Sequence, residues 1–369
     1  METQKTRYCL EVRDLVKRFS GIVTVDHVNL TVKQGEVFSL LGPSGCGKTT
    51  TLRIIAGLAT ADEGDVLMEG RIVNDVPPYR RECNLVFQNL ALFPHMTIEQ
   101  NIAYGLERKK FPEETIRKSV GEMLEFMQLK GVEKRYPTQL SGGQQQRIAL
   151  ARSLVLKPKV LLLDEPLASL DRKLRKDMQV ELKRIQQEVW ITFFYVTHDQ
   201  KEALAISDTI AVMRAGKLEQ VASPEEIYDR PRTRFVADFI GATNIFLGKA
   251  IAKVGGEIQL ESESGLKIAG LANGTFRNED ITGVCIHPER INVLLPGADS
   301  NLENRFEGKI LEMVYQGDFV EMRVRLLRSR TEEAVTAHLD ARISQKNRFS
   351  VGKEVIVHWD RESSRVLQG

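Results

Sequence analysis

Apolar residues fall into short continuous runs through the first two thirds of the chain and into alternating patterns through the last third. Val37-Phe38-Ser39-Leu40-Leu41 is a run of strand length, and the stretch Thr51 to Ala56 behind it predicts a helix. Val160 to Asp164 contains Leu161-Leu162-Leu163, whose continuity predicts a parallel strand buried on both faces. Leu174, Met178, Leu182, Ile185 and Val189 recur at helical spacing and predict one amphipathic helix. Ile191 to Val196 predicts a strand ending at Thr197-His198-Asp199, and Thr209 to Met213 another ending at a turn around Ala215-Gly216. Alternation of short strands with helices to about residue 235 predicts an α/β domain. Beyond residue 241, Val320, Met322, Val324 and Leu326 alternate after the turn Gln316-Gly317-Asp318, and Val355, Val357 and Trp359 alternate near the end. Short strands between turns predict a small β-barrel or sandwich. The stretch Pro224 to Pro231 and Gly241 mark the transition.

Composition narrows the classes. A length of 369 residues suggests two or three domains, and 42% hydrophobic with 28% charged residues is the balance of a globular protein with a sizeable core. The net charge is +2, with 17 Lys and Arg against 18 Asp and Glu beyond residue 240, so no nucleic-acid footprint is expected. Cys9, Cys46, Cys83 and Cys285 lack metal-site spacing, which fits a reducing compartment without a disulfide framework. The first residues carry no apolar signal core and no apolar run approaches 18 residues, so any work at a membrane is expected to go through a partner.

Gly42, Pro43, Ser44, Gly45, Cys46, Gly47, Lys48 and Thr49 complete a G-x-x-x-x-G-K-[ST] loop between the first strand and the first helix. The glycines let backbone N–H groups face a polyphosphate at a helix N-terminus, Lys48 can reach the β- and γ-phosphates, and the Thr49 hydroxyl can hold Mg²⁺. The strand Val160–Asp164 ends in Asp164-Glu165: the first carboxylate suits the Mg²⁺ environment, the second a water aimed at the γ-phosphate. Leu140-Ser141-Gly142-Gly143-Gln144 precedes the helical pattern Gln145 to Arg152. Ser141 is a good N-cap, and the glycines expose amides at a second anion-binding helix end, so the phosphate is expected to be held from two sides.

In that order these motifs resemble the ABC-transporter ATPase family, whose signature segment is Leu-Ser-Gly-Gly-Gln, and the likeness covers the full chain. It implies an α/β P-loop NTPase fold over residues 1–240, a RecA-like core with a helical signature subdomain at about 90–155, followed by an all-β OB-like (TOBE) domain over 241–369. It implies that Phe19 stacks on adenine and that Gly42 to Thr50 cradle the phosphates of ATP. It makes Gln88 the glutamine that senses γ-phosphate and Mg²⁺, with Thr49, Gln88 and Asp164 around the metal. Lys48, Gln88, Glu165 and His198 become catalytic, and Ser141, Gly142, Gly143, Gln144 and Asp171 complete the nucleotide site. Ala168-Ser169, Leu90 and Trp190 depart from the family's commonest wording without removing a catalytic group. Leu92 to Thr97, Tyr195 to Gln200, Pro224 to Tyr228, Ile286 to Ile291 and the Gly317 hairpin look like the importer branch, in which the ATPase is a separate chain. Val76 to Arg80 and Glu99 to Leu106 are similar to the polyamine importers, with near neighbours among importers of iron(III), sulfate and sugar phosphates.

The resemblance implies a head-to-tail homodimer in which each ATP lies between one chain's phosphate loop and the other's signature. It also implies two membrane permease subunits, an indirectly coupled solute-binding protein, no nucleic acid, and a place on the cytoplasmic face of the cell membrane. Asn89 to Thr97, with Leu90, Leu92, Phe93, Pro94 and Met96, is a candidate groove for a permease helix. A soluble ABC ATPase acting on DNA or ribosomes is the rival class, but the chain has no long coiled-coil insertion, tandem ATPase half or basic arm. A GTPase would need an Asn-Lys-x-Asp base-reading motif, and no Asn-Lys pair occurs. An exporter ATPase is disfavoured by the β-rich extension, and a ligand-binding, regulatory role for residues 241–369 stays open.

Overall fold

A computed structural model describes residues 8–241, 244–254, 256–271, 281–297, 303–327, 329–347 and 349–368. Residues 1–7, expected to lack a signal core, lie outside the described residues. The first unit contains β1 (Tyr8–Phe19), β2 (Ile22–Lys33), β3 (Val37–Leu41), α1 (Lys48–Ile55), β4 (Glu63–Met68), β5 (Arg71–Ile72) and β6 (Cys83–Val86). After these come α2 (Ile98–Arg108), α3 (Glu113–Phe126), α4 (Gly142–Leu154), β7 (Val160–Asp164), α5 (Arg172–Val189), β8 (Thr192–Thr197), α6 (Gln200–Ile206), β9 (Thr209–Arg214) and β10 (Lys217–Ala222).

The central sheet runs β10-β9-β3-β8-β7-β6, and every pair from β9 to β6 is parallel. Its strands are continuous apolar runs because both faces are covered. The two-residue period of a strand sorts the side chains. Val37, Leu161, Leu163, Phe193 and Tyr195 join a core with α2, α3, α4 and α5. Phe38, Leu40, Leu162, Phe194 and Val196 join a second core with α1 and the antiparallel sheet β2-β1-β4-β5. Phe38 and Phe194, side by side on β3 and β8, stack at 5.6 Å. Each fully buried side chain of this size contributes about 1.5–3 kcal/mol.

The expected helix over Leu174 to Val189 forms, but its stripe ends early. Met178, Leu182 and Ile185 are buried, whereas Val189 is 40% exposed, and Gln186 takes the last inward position. Trp190 then adopts the left-handed cap conformation (φ 53°) that glycine usually fills, and its ring lies against Gly35, where an added Cβ would stand 3.0 Å from the indole.

The compact units divide between Pro224 and Glu225. Following α7 (Pro224–Asp229), the second unit holds α8 (Arg234–Ile240), β11 (Asn244–Val254), β12 (Glu257–Ser262), β13 (Lys267–Leu271), β14 (Ile281–Ile286), β15 (Asn292–Leu294) and β16 (Asn304–Tyr315). The chain ends with β17 (Phe319–Leu326), β18 (Ala334–Asp340), α9 (Ala341–Asn347), β19 (Glu354–Trp359) and β20 (Arg365–Gln368). Of the two β forms that the alternation allowed, the barrel is present, closed by β11-β12-β13-β20-β14, and the remaining strands form one antiparallel sheet, β15-β19-β16-β17-β18. Met322, Val324 and Leu326 point into one core with Val355, Val357 and Trp359, and Val320 is buried as well. Tyr228, ahead of the β elements, stacks on His287 at 4.0 Å and hydrogen-bonds Glu289, so residues 225–240 associate with the β-rich part.

Candidate nucleotide site

The strands β3, β8, β7 and β6 are parallel neighbours, so their C-terminal ends lie along one edge of the sheet. That edge is where ligands bind in open α/β sheets. The phosphate loop follows β3, His198 follows β8, Asp164-Glu165 ends β7, and Gln88 follows β6. The sheet thus gathers side chains separated by up to 150 positions.

Local backbone chemistry shapes the loop. Gly45 (φ 80°) and Gly47 (φ 109°) lie in the left-handed region. A Cβ on Gly47 would also stand 2.4 Å from the Thr24 carbonyl oxygen, and one on Gly42 2.3 Å from that of Met213. These positions admit no side chain. Gly47 caps α1 without any side-chain bond, so the first amides of the helix are left for an anion. Lys48 is 4% exposed and donates to the carbonyls of Gly42 and Pro43 at 2.8 and 2.9 Å, which holds its ammonium over the loop. Ser44 is exposed and Thr50 half-buried, while burial pushes the Cys46 thiol pKa up.

Thr49 donates from its hydroxyl to Asp164 at 3.2 Å. Burial raises the Asp164 pKa, the Thr49 hydrogen bond opposes this, and the charge of Glu165 raises it further. A hydroxyl beside a carboxylate that burial leaves short of positive charge is a donor set that fits Mg²⁺, which takes few protein ligands and completes its shell with phosphate oxygens and water.

Glu165 has φ 46°, and its N–H donates to the Val196 carbonyl at 2.9 Å. A left-handed non-glycine residue costs energy and is held here by the neighbouring strand. Its Oε2 accepts from Gln88 Nε2 at 3.3 Å and lies 3.0 Å from His198 Nδ1. Gln88, Glu165 and His198 are therefore one cluster beside Thr49 and Asp164. Phe19 stands at the tip of the β1–β2 hairpin, whose turn residues Ser20 (φ 48°) and Gly21 (φ 82°) form the tight connection that twisted strands favour. Its ring is 50% exposed, with Lys17 Nζ 5.4 Å from the centroid.

The remaining expected residues stand apart. Ser141 caps α4, accepting from Gln144 N–H at 3.4 Å, while the Gln144 side chain accepts from Ser141 N–H at 3.1 Å. Gly142 is exposed; Gly143 is buried, and a Cβ there would come 2.9 Å from Leu174. Asp171 caps α5 through the N–H groups of Lys173 and Leu174, both at 3.0 Å. Among the described residues, no hydrogen bond or ion pair joins Ser141, Gly142, Gly143, Gln144 or Asp171 to the phosphate loop.

Of the candidate groove segment, Leu90 turns inward and is buried, and Leu90 and Ala91 both have positive φ (61° and 45°). A cavity of about 610 Å³ beside this segment is lined by Phe87, Ala91, Phe93, Tyr104, Arg108 and Leu156 among others. Sequence reasoning missed the residues that brace it. Asn101 is fully buried; it accepts from Phe93 N–H and donates to the carbonyls of Phe93, Met96 and Thr97. Arg152 donates to the carbonyls of Leu90 and Ala91 at 2.9 and 2.7 Å. The available signal was a polar residue on an inward helical stripe: Asn101 lies between Ile98 and Ile102.

The ABC transporter family model matches residues 25–168 and the TOBE domain model residues 284–367. The chain is 45% identical to the spermidine/putrescine import ATP-binding protein PotA of Rubrobacter xylanophilus, over 98% of this chain and 94% of that protein. It is 51% identical to the protein of the same name from Acidothermus cellulolyticus, over 84% and 81%. Among solved structures, cbiO1 from Clostridium perfringens, part of the ABC transporter complex cbiONQ, superposes with a TM-score of 0.56 at 31% identity, covering 60% of this chain and 90% of that one. With the nucleotide edge assembled and both domain models matched, this chain belongs to the ABC-transporter family as an ATP-binding protein that hydrolyses ATP to drive transport and carries a C-terminal TOBE domain.

Proposed function

We propose that this chain powers the import of spermidine or putrescine. It acts as a homodimer on the cytoplasmic face of the cell membrane, beneath two permease subunits that receive solute from a binding protein. The observation that carries the ATPase mechanism is the meeting of Gln88, Glu165 and His198 on one carboxylate oxygen beside the Thr49–Asp164 pair. The solute class rests on the shared name of the relatives. Among the described residues no helix is long and apolar enough to cross a membrane; in this reading partner chains supply the membrane-spanning path.

In this reading Phe19 stacks on adenine, and the amides from Gly42 to Thr50 together with Lys48 hold the phosphates. Thr49 and Asp164, with Gln88, would hold Mg²⁺, which when bound would supply charge neutralisation to the phosphate oxygens. Glu165 accepts a proton from the attacking water. With Nδ1 turned to that carboxylate, His198 has Nε2 free to meet the γ-phosphate. Ser141, Gly142, Gly143, Gln144 and Asp171 of a second copy close the cradle from the opposite side, which accords with their separation from the phosphate loop in one chain. The groove beside Phe93 and Tyr104 receives a permease helix, so that movement of the segment after Gln88 is felt at the membrane.

The test is uptake. Deleting the gene is expected to lower uptake of labelled spermidine or putrescine and to leave sulfate, iron(III) and glycerol phosphate uptake unchanged. A wild-type copy should restore it and Glu165→Gln should not, since loss of a general base lowers hydrolysis by about 10²–10⁴. Unchanged polyamine uptake with loss of another solute would overturn the solute and keep the importer. Full restoration by Glu165→Gln would overturn the role of Glu165.

A further inference from the structure

Arg175 lies one turn into α5, outside every motif read from the sequence. Its guanidinium reaches two loops that the nucleotide site uses. Nη2 donates to the Leu170 carbonyl at 3.0 Å, immediately before Asp171. Nη1 donates to Asp199 Oδ2 at 3.2 Å, immediately after His198. Asp199 spends its other oxygen on capping α6, accepting from Lys201 and Glu202 N–H at 2.8 and 3.1 Å. The third side of the guanidinium, Nε, faces Glu202 Oε1 at 3.6 Å, within ion-pair range but too long for a hydrogen bond. Glu202 is 2% exposed and accepts from the hydroxyls of Tyr195 and Thr197 at 2.8 and 2.9 Å; both belong to β8, the strand that delivers His198.

A cation kept only to neutralise Glu202 would aim its best bonds at that carboxylate. Here the two hydrogen bonds go instead to the Asp171 loop and the His198 loop, and Glu202 receives the loose contact. A planar guanidinium has donors in fixed directions, so it can fix two acceptors relative to each other; an ammonium is a point charge and cannot.

We propose that Arg175 is a positioning residue that locks the loop before Asp171 to the loop carrying His198, so that engagement of Asp171 by the second copy sets the alignment of His198 on Glu165. This rests on the head-to-tail dimer proposed above. The second copy's nucleotide state then reaches the local catalytic cluster through one side chain, and the two sites fire cooperatively.

The test uses the full-length chain and the ATP dependence of its hydrolysis. Wild type is expected to show a Hill coefficient near about 2, the number of sites in the dimer. Arg175→Gln is expected to lower kcat by about 10- to 10²-fold, the range of a modest misplacement of a reacting group, with the ATP half-saturation concentration within about twofold and the Hill coefficient near about 1. Arg175→Gln leaves Glu202 buried without its cation and can lose stability for that reason alone. The double variant Arg175→Gln/Glu202→Gln removes both charges. It is expected to recover the melting temperature while kcat and cooperativity stay low, and Arg175→Lys is expected to behave in the same way. Recovery of kcat and cooperativity in the double variant or in Arg175→Lys would show a merely neutralising role and overturn the proposal. Retained cooperativity in Arg175→Gln would do the same and leave the dimer untouched. A wild-type rate per chain independent of chain concentration, with a Hill coefficient near about 1, would remove the dimer and this proposal together.

Discussion

Helices α1 and α4 both carry glycine at the N-terminal end, Gly47 as the cap of α1 and Gly142 and Gly143 in the first turn of α4, yet these ends are finished differently. α1 starts at Gly47, in a left-handed conformation and with no side-chain cap. Among the described residues no side chain caps that end, and the Lys48 ammonium is held by the loop carbonyls of Gly42 and Pro43. α4 starts at Ser141 inside a reciprocal cap with Gln144, and the Ser141 hydroxyl bond is long at 3.4 Å. An N-cap of this kind contributes about 1 kcal/mol, which stabilises the helix when no ligand is near and yields readily when one arrives. In the proposed function the first helix end would hold phosphate throughout the cycle, and the second, finished by its own cap, would engage the phosphate of a second copy on demand.

The largest effect that bears on this contrast comes from removing each end separately. Lys48→Ala and Ser141→Arg are each expected to lower ATP hydrolysis by about 10³-fold, the loss typical of an essential charge-stabilising donor. Mixing the two chains should restore hydrolysis, because one composite site in the mixed dimer pairs an intact Lys48 with an intact Ser141. A mixture as inactive as its parents would mean that the two helix ends do not share a phosphate.

A smaller effect separates the resting loop from the loaded one. Burial raises the Asp164 pKa, so the folded chain holds that proton more tightly than the unfolded chain. The ionised carboxylate therefore costs stability at neutral pH, and the cost begins to shrink as pH falls through the folded value and vanishes below the unfolded one. Asp164→Asn is expected to raise the melting temperature of the nucleotide-free protein at neutral pH, with the difference shrinking in acid, and to lose the extra stabilisation that Mg²⁺ adds to ATP binding. Thermal melts across pH, with and without Mg²⁺ and ATP, check both signs. A variant that melts below wild type at neutral pH would contradict the burial argument.

The smallest effect concerns the helix behind the signature. Gln146 is fully buried in α4, and among the described residues neither atom of its amide has a hydrogen-bond partner. Gln146→Met keeps the length of the side chain and removes the unpaired groups, so stability should rise by about 1–3 kcal/mol. That corresponds to about 2–4 °C in melting temperature per kcal/mol for a domain of this size. A fall in melting temperature would show that the amide is satisfied in solution.

Motif residues separate into two kinds by how they could be read. The phosphate loop is contiguous, and its requirements are local: φ values only glycine adopts easily at Gly45 and Gly47, and no room for a Cβ at Gly42. Such demands leave a fixed pattern in the chain. Glu165 could be suggested by its place after the strand Val160–Asp164, whereas Gln88 and His198 are single residues, each ordinary in its own surroundings, and became legible only through the order of the family's motifs. Asn101 left only the faint signal of a polar residue on an inward stripe, and Arg152 and Arg175 left none, because Arg152 binds backbone carbonyls, which look the same in every residue, and Arg175 joins one such carbonyl to a distant Asp199. The inward turn of Leu90 was equally hidden, since an apolar residue in a loop reads alike whether it faces a groove or a core.

The sequence alone determined the strand and helix periods, the phosphate loop, the cap at Ser141 and the change of texture after residue 235, since each depends on the spacing of neighbours along the chain. Only the tertiary structure decided which strands are adjacent, and with that everything at their ends. Placing β3, β8, β7 and β6 in parallel brings Lys48, His198, Glu165 and Gln88 to one edge. It also closes the bridge from Leu170 through Arg175 to Asp199. The physical reason is that strand order is set by burial of two faces across the whole sheet, a condition summed over many distant residues and written in no single segment.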